Sequence, residues 1–222
     1  VNYFANYKFM KFNKKTFNKI NNLITDKYPK ANLMIVSKNR PTSCIREALN
    51  EGALLFGENK VQEAEAKFEE LRKEFSNINL HLIGPLQTNK VKQALKIFDV
   101  IQSVDREKLV NEIAKNLTTS TRINSFYIQV NIGREDQKSG VDPDSTKSFY
   151  DYAIHQGLNI IGLMCLPPNN EDPDFFFKSM IELRNKTNPD LLLSMGMSGD
   201  YLAALENETD LVRIGSKFFT DE

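Results

Sequence analysis

Short apolar segments rich in β-branched residues recur along the chain, and a helical pattern follows most of them. The eight segments span residues 33–37, 53–56, 80–83, 100–103, 125–131, 160–166, 191–195 and 211–214. Strands that alternate with helices are expected to lie parallel, because parallel neighbours need a crossover connection. Eight such units in 222 residues match the lower size range of a closed barrel, so we predict an α/β fold with a single (β/α)8 TIM-like barrel. An open doubly wound sheet is the alternative, but no GxGxxG turn follows the first strand.

A further helix is predicted before the first strand, because Phe17, Ile20, Leu23 and Ile24 recur at helical spacing. Only a few residues follow the last strand, so no helix is expected there. We predict that the N-terminal helix packs in place of the last barrel helix. Residues 1–222 are then expected to form a single barrel domain, with residues 1–30 as an N-terminal helical segment.

Charge and composition argue against several classes of function. Lysine plus arginine and aspartate plus glutamate both number 29, so no net field favours nucleic acid or an anionic membrane. No apolar run reaches the roughly 18 residues of a membrane span. Cys44 and Cys165 are far apart, and two histidines are too few for a zinc site or a histidine-dependent triad. We expect a cytoplasmic monomer with reduced thiols, no metal, and no nucleic-acid or membrane partner.

A lysine follows the first strand at the end where barrels carry their functional residues. Lys38 comes directly after Ser37 and would project into the barrel mouth. Partial desolvation there would favour the neutral amine that attacks a carbonyl group. The alternative is a lysine that extends along the strand end into solvent.

Two segments near the last two strands are candidates for binding an anion. Ser198 and Gly199 follow the seventh strand and are expected to open a helix, whose free N–H groups and positive dipole end would receive a phosphate. After the eighth strand, Gly215 allows close approach and Ser216 adds a hydroxyl. Barrels often bind phosphate beside these two strands. The alternative is an ordinary N-cap serine and a strand-end glycine.

Arg213 on the eighth strand has two possible functional roles. It could hold a phosphate, or it could lie beside a heteroaromatic nitrogen. A guanidinium stays protonated near neutral pH, so it would donate a hydrogen bond to that nitrogen and oppose its protonation. The ring would then be a weaker electron sink. A salt bridge across the barrel end is the structural alternative.

Ordered motifs along the chain resemble the YggS/PROSC-type pyridoxal phosphate homeostasis proteins, which are related to the fold-type III N-terminal barrel of alanine racemase. The motifs that carry the resemblance span residues 36–38, 56–59, 81–90, 103–105, 129–133, 137–140, 162–164, 194–200 and 213–215. The similar region covers about residues 30–219.

The resemblance implies that pyridoxal 5'-phosphate binds as a Schiff base on Lys38. It also implies that Arg213 is the partner of the pyridine nitrogen and that Asn59 lies near the ring. Ser216 replaces the threonine usual in the family and keeps its hydroxyl. The cofactor-binding residues predicted in this way are Lys38, Asn59, Met164, Ser198, Gly199, Arg213, Gly215 and Ser216.

The function implied by the resemblance is a carrier in vitamin B6 homeostasis without established catalysis, with apo-enzymes that need the cofactor as recipients. A small amino-acid racemase or lyase dependent on pyridoxal phosphate is the alternative. A racemase needs acid or base groups on both faces of its substrate, and Lys38 could serve only one of them. The sequence offers no strong candidate for the other face, so no catalytic residue is predicted. A Schiff-base aldolase acting on a sugar phosphate is a third hypothesis.

Overall fold

The computed structural model describes residues 10–118, 121–123 and 125–221, and its central feature is a closed barrel of parallel strands. The strands are β1 (Met10–Phe12), β2 (Asn32–Val36), β3 (Leu55–Glu58), β4 (Asn79–Leu82), β5 (Val100–Val104), β6 (Ser125–Val130), β7 (Ile160–Cys165), β8 (Leu192–Ser194), β9 (Leu211–Ile214) and β10 (Phe219–Asp221). The helices are α1 (Lys14–Lys27), α2 (Thr42–Asn50), α3 (Val61–Glu74), α4 (Val91–Ile97), α5 (Glu107–Asn116), α6 (Thr146–His155), α7 (Pro173–Thr187) and α8 (Tyr201–Glu206). Strands β2 to β9 pair in chain order, and β9 pairs with β2 to close the barrel. The predicted (β/α)8 TIM-like barrel is confirmed.

Two local predictions in the first half of the barrel differ from the structure. The second strand was expected at 53–56, but the amide of Ala53 donates to the carbonyl of Ala48 (3.0 Å) and so closes the end of α2. The position of Asp105 just after the fourth predicted strand predicts that it caps the next helix, but α5 begins after Arg106 and has no side-chain cap. The carboxylate of Asp105 pairs instead with the guanidinium of Arg106 (2.5 Å).

The N-terminal helix α1 packs beside the first barrel strand. Phe17, Ile20 and Ile24 on its inner face are buried. The helix contacts β2, and the ring of Phe17 meets that of Phe218, which follows β9. Because β2 and β9 are neighbours in the barrel, α1 covers the place of the last barrel helix, as predicted.

A two-stranded antiparallel sheet joins the two ends of the described chain and was not predicted. In it β1 pairs with β10, and Phe12 lies opposite Phe219. The rings of Phe12, Phe17, Phe218 and Phe219 pack with centroids 5.4 to 6.1 Å apart. Aromatic pairs of this kind stabilise a small sheet that could not persist alone.

A chain of polar side chains crosses the interior of the barrel. Ser194 Oγ donates to Gln102 Oε1 (2.7 Å), although their strands β8 and β5 are not neighbours. The other end of the Gln102 amide, Nε2, lies 2.8 Å from His81 Nδ1. Because Nε2 of Gln102 can only donate, His81 accepts through Nδ1 and carries its proton on Nε2. Burial lowers the pKa of His81 to about 3, so the ring is neutral.

We expect the His81→Gln variant to show a flatter dependence of stability on pH than the unmodified protein. Folded His81 stays neutral down to about pH 3, whereas an unfolded histidine takes up a proton near pH 6.5. The free energy of unfolding therefore decreases as the pH falls from about 6.5 towards 3, because the unfolded chain binds a proton that folded His81 does not. Urea unfolding at a series of pH values measures this slope. His155→Gln, at an exposed position, is the control; an equal flattening in that variant would contradict the assignment.

The described ranges contain neither a candidate membrane-spanning helix nor a candidate metal cluster. None of the helices found there is long and apolar enough to cross a membrane. The same residues contain no group of three or more His, Cys, Asp or Glu side chains placed to hold a metal ion. Cys44 and Cys165 are both buried, and neither forms a disulfide.

Candidate functional site

A cavity of about 620 Å³ opens at the C-terminal ends of the barrel strands, within the size range of small-molecule and cofactor sites. The residues that line it are Val36, Lys38, Asn39, Arg40, Asn59, Ile83, Met164, Leu166, Met197, Ser198, Gly199, Arg213, Gly215 and Ser216. The structure thus brings all eight of the residues named from the sequence to one cavity. A second cavity, of about 530 Å³, lies at the opposite end of the barrel, where barrels carry residues of structural rather than catalytic importance.

Lys38 lies on a tight turn at the rim of the cavity, separated from β2 by Ser37. A bond from the amide of Arg40 to the carbonyl of Ser37 (3.1 Å) closes this turn. Asn39 takes the left-handed conformation, with φ 56°. Lys38 lines the cavity, but its side chain is exposed. The structure therefore places Lys38 at the mouth of the barrel, as expected from the sequence, while its partial desolvation stays a prediction.

Two loops meet where the sequence predicts a phosphate. The amide of Gly215 donates to Oγ of Ser198 (3.3 Å), which joins the loop after β9 to the loop after β8. The amide N–H groups of Ser198, Gly199 and Ser216 have no protein acceptor within the described part of the chain. A Cβ at Gly215 would lie 2.9 Å from the carbonyl oxygen of Val36, so a larger residue would displace the loop. Backbone N–H groups around one cavity suit the oxygens of a phosphate.

The helix after β8 begins at Tyr201 and not at Ser198 as predicted. The carboxylate of Asp200 accepts the amide N–H of Met197 (2.5 Å), and the amide of Asp200 donates to the carbonyl of Met197 (3.2 Å). These bonds fold residues 197–200 into a turn and delay the start of α8. The helix start expected at Ser198 is therefore wrong, while the anion site there stays a prediction. The N–H groups available to a phosphate belong to the turn before the helix.

Arg213 lies on β9 at the cavity, and only 3% of its surface is exposed. Its guanidinium donates to Ser194 Oγ (2.6 Å) and to the carbonyl of Cys165 (2.7 Å). Burial lowers the pKa of Arg213, but a guanidinium remains protonated near neutral pH. It forms no ion pair with a described carboxylate, so the salt bridge considered from the sequence is not found there. A buried cation at a cavity suits a ligand atom that accepts a hydrogen bond.

The other two predicted residues lie on different walls of the cavity. Met164 on β7 is buried and presents an apolar surface. Asn59 follows β3 and also lines a neighbouring cavity of about 280 Å³ that includes Asn131. A Cβ at Gly84 would lie 2.4 Å from the carbonyl oxygen of Asn59. Because Gly84 has no side chain, the backbone of Asn59 can pack directly against it.

Several lining residues were not named from the sequence. They are Val36, Asn39, Arg40, Ile83, Leu166 and Met197. Arg40 is the charged member of this set, and its guanidinium lies 5.2 Å from the centroid of the Phe219 ring. Most of them could have been identified from their positions in the sequence, since they lie at or just after the ends of predicted strands.

The family follows from comparison with known proteins. Residues 15–222 match the family described as alanine racemase, N-terminal domain. A pyridoxal phosphate homeostasis protein of Aquifex aeolicus is 37% identical over 198 residues, which cover 85% of this chain and 86% of that protein. The chain belongs to the pyridoxal phosphate homeostasis proteins of this family. The resemblance inferred from its motifs is confirmed.

Solved structures of another family member match the whole barrel. The structure of PipY from Synechococcus elongatus without PLP has a TM-score of 0.81 and 32% identity, and the match covers 90% of this chain and 97% of PipY. The structure of PipY with PLP bound has a TM-score of 0.75 at the same identity, covering 91% and 98%. The barrel is therefore the fold of a solved family member.

Proposed function

We propose that this chain binds pyridoxal 5'-phosphate as a Schiff base on Lys38 and contributes to intracellular vitamin B6 homeostasis by holding and releasing the cofactor. The observation that carries the proposal is the cavity itself. It combines an amine at the rim, a turn rich in unpaired amide N–H groups, and the buried guanidinium of Arg213. The relatives named for pyridoxal phosphate homeostasis, and PipY with PLP bound, support the same ligand.

Each of the three groups suits one part of the cofactor. Lys38 would hold the cofactor through its amine, and a bound pyridoxal phosphate would supply the aldehyde for that linkage, with release of water. The amide N–H groups of Ser198, Gly199 and Ser216 would hold the phosphate. Arg213 would donate to the pyridine nitrogen, and Ser194 and the Cys165 carbonyl hold its guanidinium in place. Asn59 and Met164 would lie beside the ring.

The groups around the cavity favour a carrier over an enzyme. Among the described lining residues, the ionisable side chains are Lys38, Arg40 and Arg213. A guanidinium is not suited to act as a base near neutral pH. Lys38 is thus the one lining side chain suited to move a proton, whereas racemisation needs groups on both faces of the substrate. Donation from Arg213 would also weaken the ring as an electron sink.

The proposal extends to the setting in which the chain acts. We infer that the barrel works as a single cofactor-binding domain and as a monomer in the cytoplasm. Apo-enzymes that need pyridoxal phosphate would be the recipients, since a reversible imine lets the cofactor leave. The alternative, a racemase or lyase, predicts instead that the protein turns over an amino acid.

The experiment combines a spectral titration with two activity assays. Purified protein is titrated with pyridoxal phosphate, then mixed with an apo-aminotransferase, and separately screened against amino acids for racemisation or lyase turnover. We expect a visible absorption band that saturates, recovery of aminotransferase activity, and no turnover. Sustained conversion of any amino acid would favour the enzyme alternative. A titration without spectral change would overturn the proposal.

A further inference from the structure

Three charged side chains form a buried cluster beneath the turn that carries Lys38. The ammonium of Lys67 donates to Glu58 Oε1 (2.9 Å) and to Glu63 Oε1 (2.5 Å). The side chains of Lys67 and Glu58 are fully buried, and that of Glu63 is 5% exposed. Taking three charges out of water costs free energy that their mutual attraction offsets only in part. A cluster of this kind needs an explanation beyond stability.

The hydrogen bonds that leave this cluster go to the residues on either side of Lys38. Lys67 Nζ donates to the carbonyl of Ser37 (2.8 Å), and the hydroxyl of Ser37 donates to Glu58 Oε1 (2.7 Å). The amide of Asn39 donates to Glu63 Oε1 (2.5 Å). Ser37, which precedes Lys38, is thus held through its carbonyl and its hydroxyl, and Asn39, which follows Lys38, is held through its amide. Lys38 itself takes no part in them.

The bond from Asn39 to Glu63 holds the turn that carries Lys38. Asn39 has a φ of 56°, a left-handed conformation that asparagine adopts more readily than most residues with a side chain. The bond from its amide to Glu63 (2.5 Å) ties this conformation to the buried cluster. The direction in which Lys38 leaves the backbone therefore depends on a carboxylate held by Lys67.

We propose that Glu63, Lys67 and Glu58 are positioning residues for Lys38, which aim its amine at the aldehyde of a bound cofactor without touching that cofactor themselves. This inference rests on the proposed function. It separates two properties of the site. The cavity and the amide N–H groups hold the ligand, and the buried cluster sets how fast the amine reacts with it.

The test compares Glu63→Ala with Glu63→Gln. Alanine removes the acceptor of the Asn39 amide, whereas glutamine keeps an oxygen that can accept it. Two ligands separate binding from reaction. Pyridoxal phosphate forms the imine, while pyridoxamine phosphate carries an amine in place of the aldehyde and can only bind. Stopped-flow absorption gives the rate of imine formation, and calorimetry gives the affinity for pyridoxamine phosphate.

We expect Glu63→Ala to slow imine formation at least about tenfold, because a small misplacement of a reacting group has a large effect on rate. Its affinity for pyridoxamine phosphate should stay within about twofold, since the turn makes no contact required for the phosphate. Glu63→Gln should restore most of the rate. Should Glu63→Ala not fold, Ser37→Ala removes one bond of the same network and is expected to slow the reaction about fivefold.

Asp99→Ala is the matched control. Asp99 also pairs with a cation of α3, Arg72 (2.5 Å), and accepts a backbone amide, that of Leu80 (2.8 Å), but at the opposite end of the barrel. The Asp99→Ala variant should lose stability but keep the rate of imine formation within about twofold of that of the unmodified protein. The inference fails if Glu63→Ala reacts as fast as the unmodified protein, or if it loses rate and pyridoxamine phosphate affinity together. Absence of an imine in the unmodified protein would overturn the proposed function instead.

Discussion

Replacing Lys38 with alanine is expected to abolish the covalent attachment of pyridoxal phosphate while leaving reversible binding in place. Lys38 is the one lysine that lines the cavity among the residues that the structure describes. Without its amine no imine can form, but the amide N–H groups of the turn before α8 and the guanidinium of Arg213 remain. The visible absorption band of the imine should disappear completely. Equilibrium dialysis should still detect weaker binding.

Lys217→Ala is the control for this prediction. Lys217 follows Gly215 and Ser216 in the loop after β9, but its ammonium lies 5.8 Å from the centroid of the Tyr201 ring, and it does not line the cavity. This variant should keep the absorption band. A Lys38→Ala protein that still develops the band would show that another lysine carries the cofactor.

The second large effect is expected for Lys67→Met, which should destabilise the fold by about 3–5 kcal/mol. The substitution removes the ammonium from between two buried carboxylates, Glu58 and Glu63, and leaves their charge uncompensated. Methionine fills a similar volume, so the loss of free energy of unfolding is electrostatic and not a cavity effect. Urea unfolding followed by circular dichroism measures it.

The destabilisation caused by Lys67→Met should shrink as the pH falls. Burial already raises the pKa of Glu58, and loss of the neighbouring ammonium raises it further. The folded variant then binds a proton at a higher pH than an unfolded glutamate, whose pKa is about 4.3. Its stability therefore rises on acidification towards that value. Lys73→Met on the same helix breaks an exposed pair with Glu70 and should change little; an equal loss in both variants would contradict the account.

The architecture and the list of strand-end residues could be predicted because their signals are local. Apolar runs that alternate with helical patterns specify a parallel sheet, and the residues just after each run are those of the barrel mouth. Lys38, Arg213 and Gly215 were found in this way. Residue types alone could not establish that they share one cavity; that depended on the closure of the barrel.

The features that were missed depend on contacts between distant parts of the chain. The sheet of β1 and β10 pairs opposite ends of the sequence. The start of α8 shifts because Asp200 turns back to Met197. The pattern of α3 indicates a charged surface helix, but Lys67 is fully buried because Glu58 and the Ser37 carbonyl approach it from other segments. The spacing of Glu63 and Lys67 by four residues was the only local signal of this cluster.

The most direct test of the central claim is to identify the residue that carries the cofactor. The protein is incubated with pyridoxal phosphate, reduced with borohydride, digested and analysed by mass spectrometry. The account predicts a single pyridoxyl phosphate group on the peptide that contains Lys38. An unmodified peptide at that position, or an adduct on a different lysine, would contradict it.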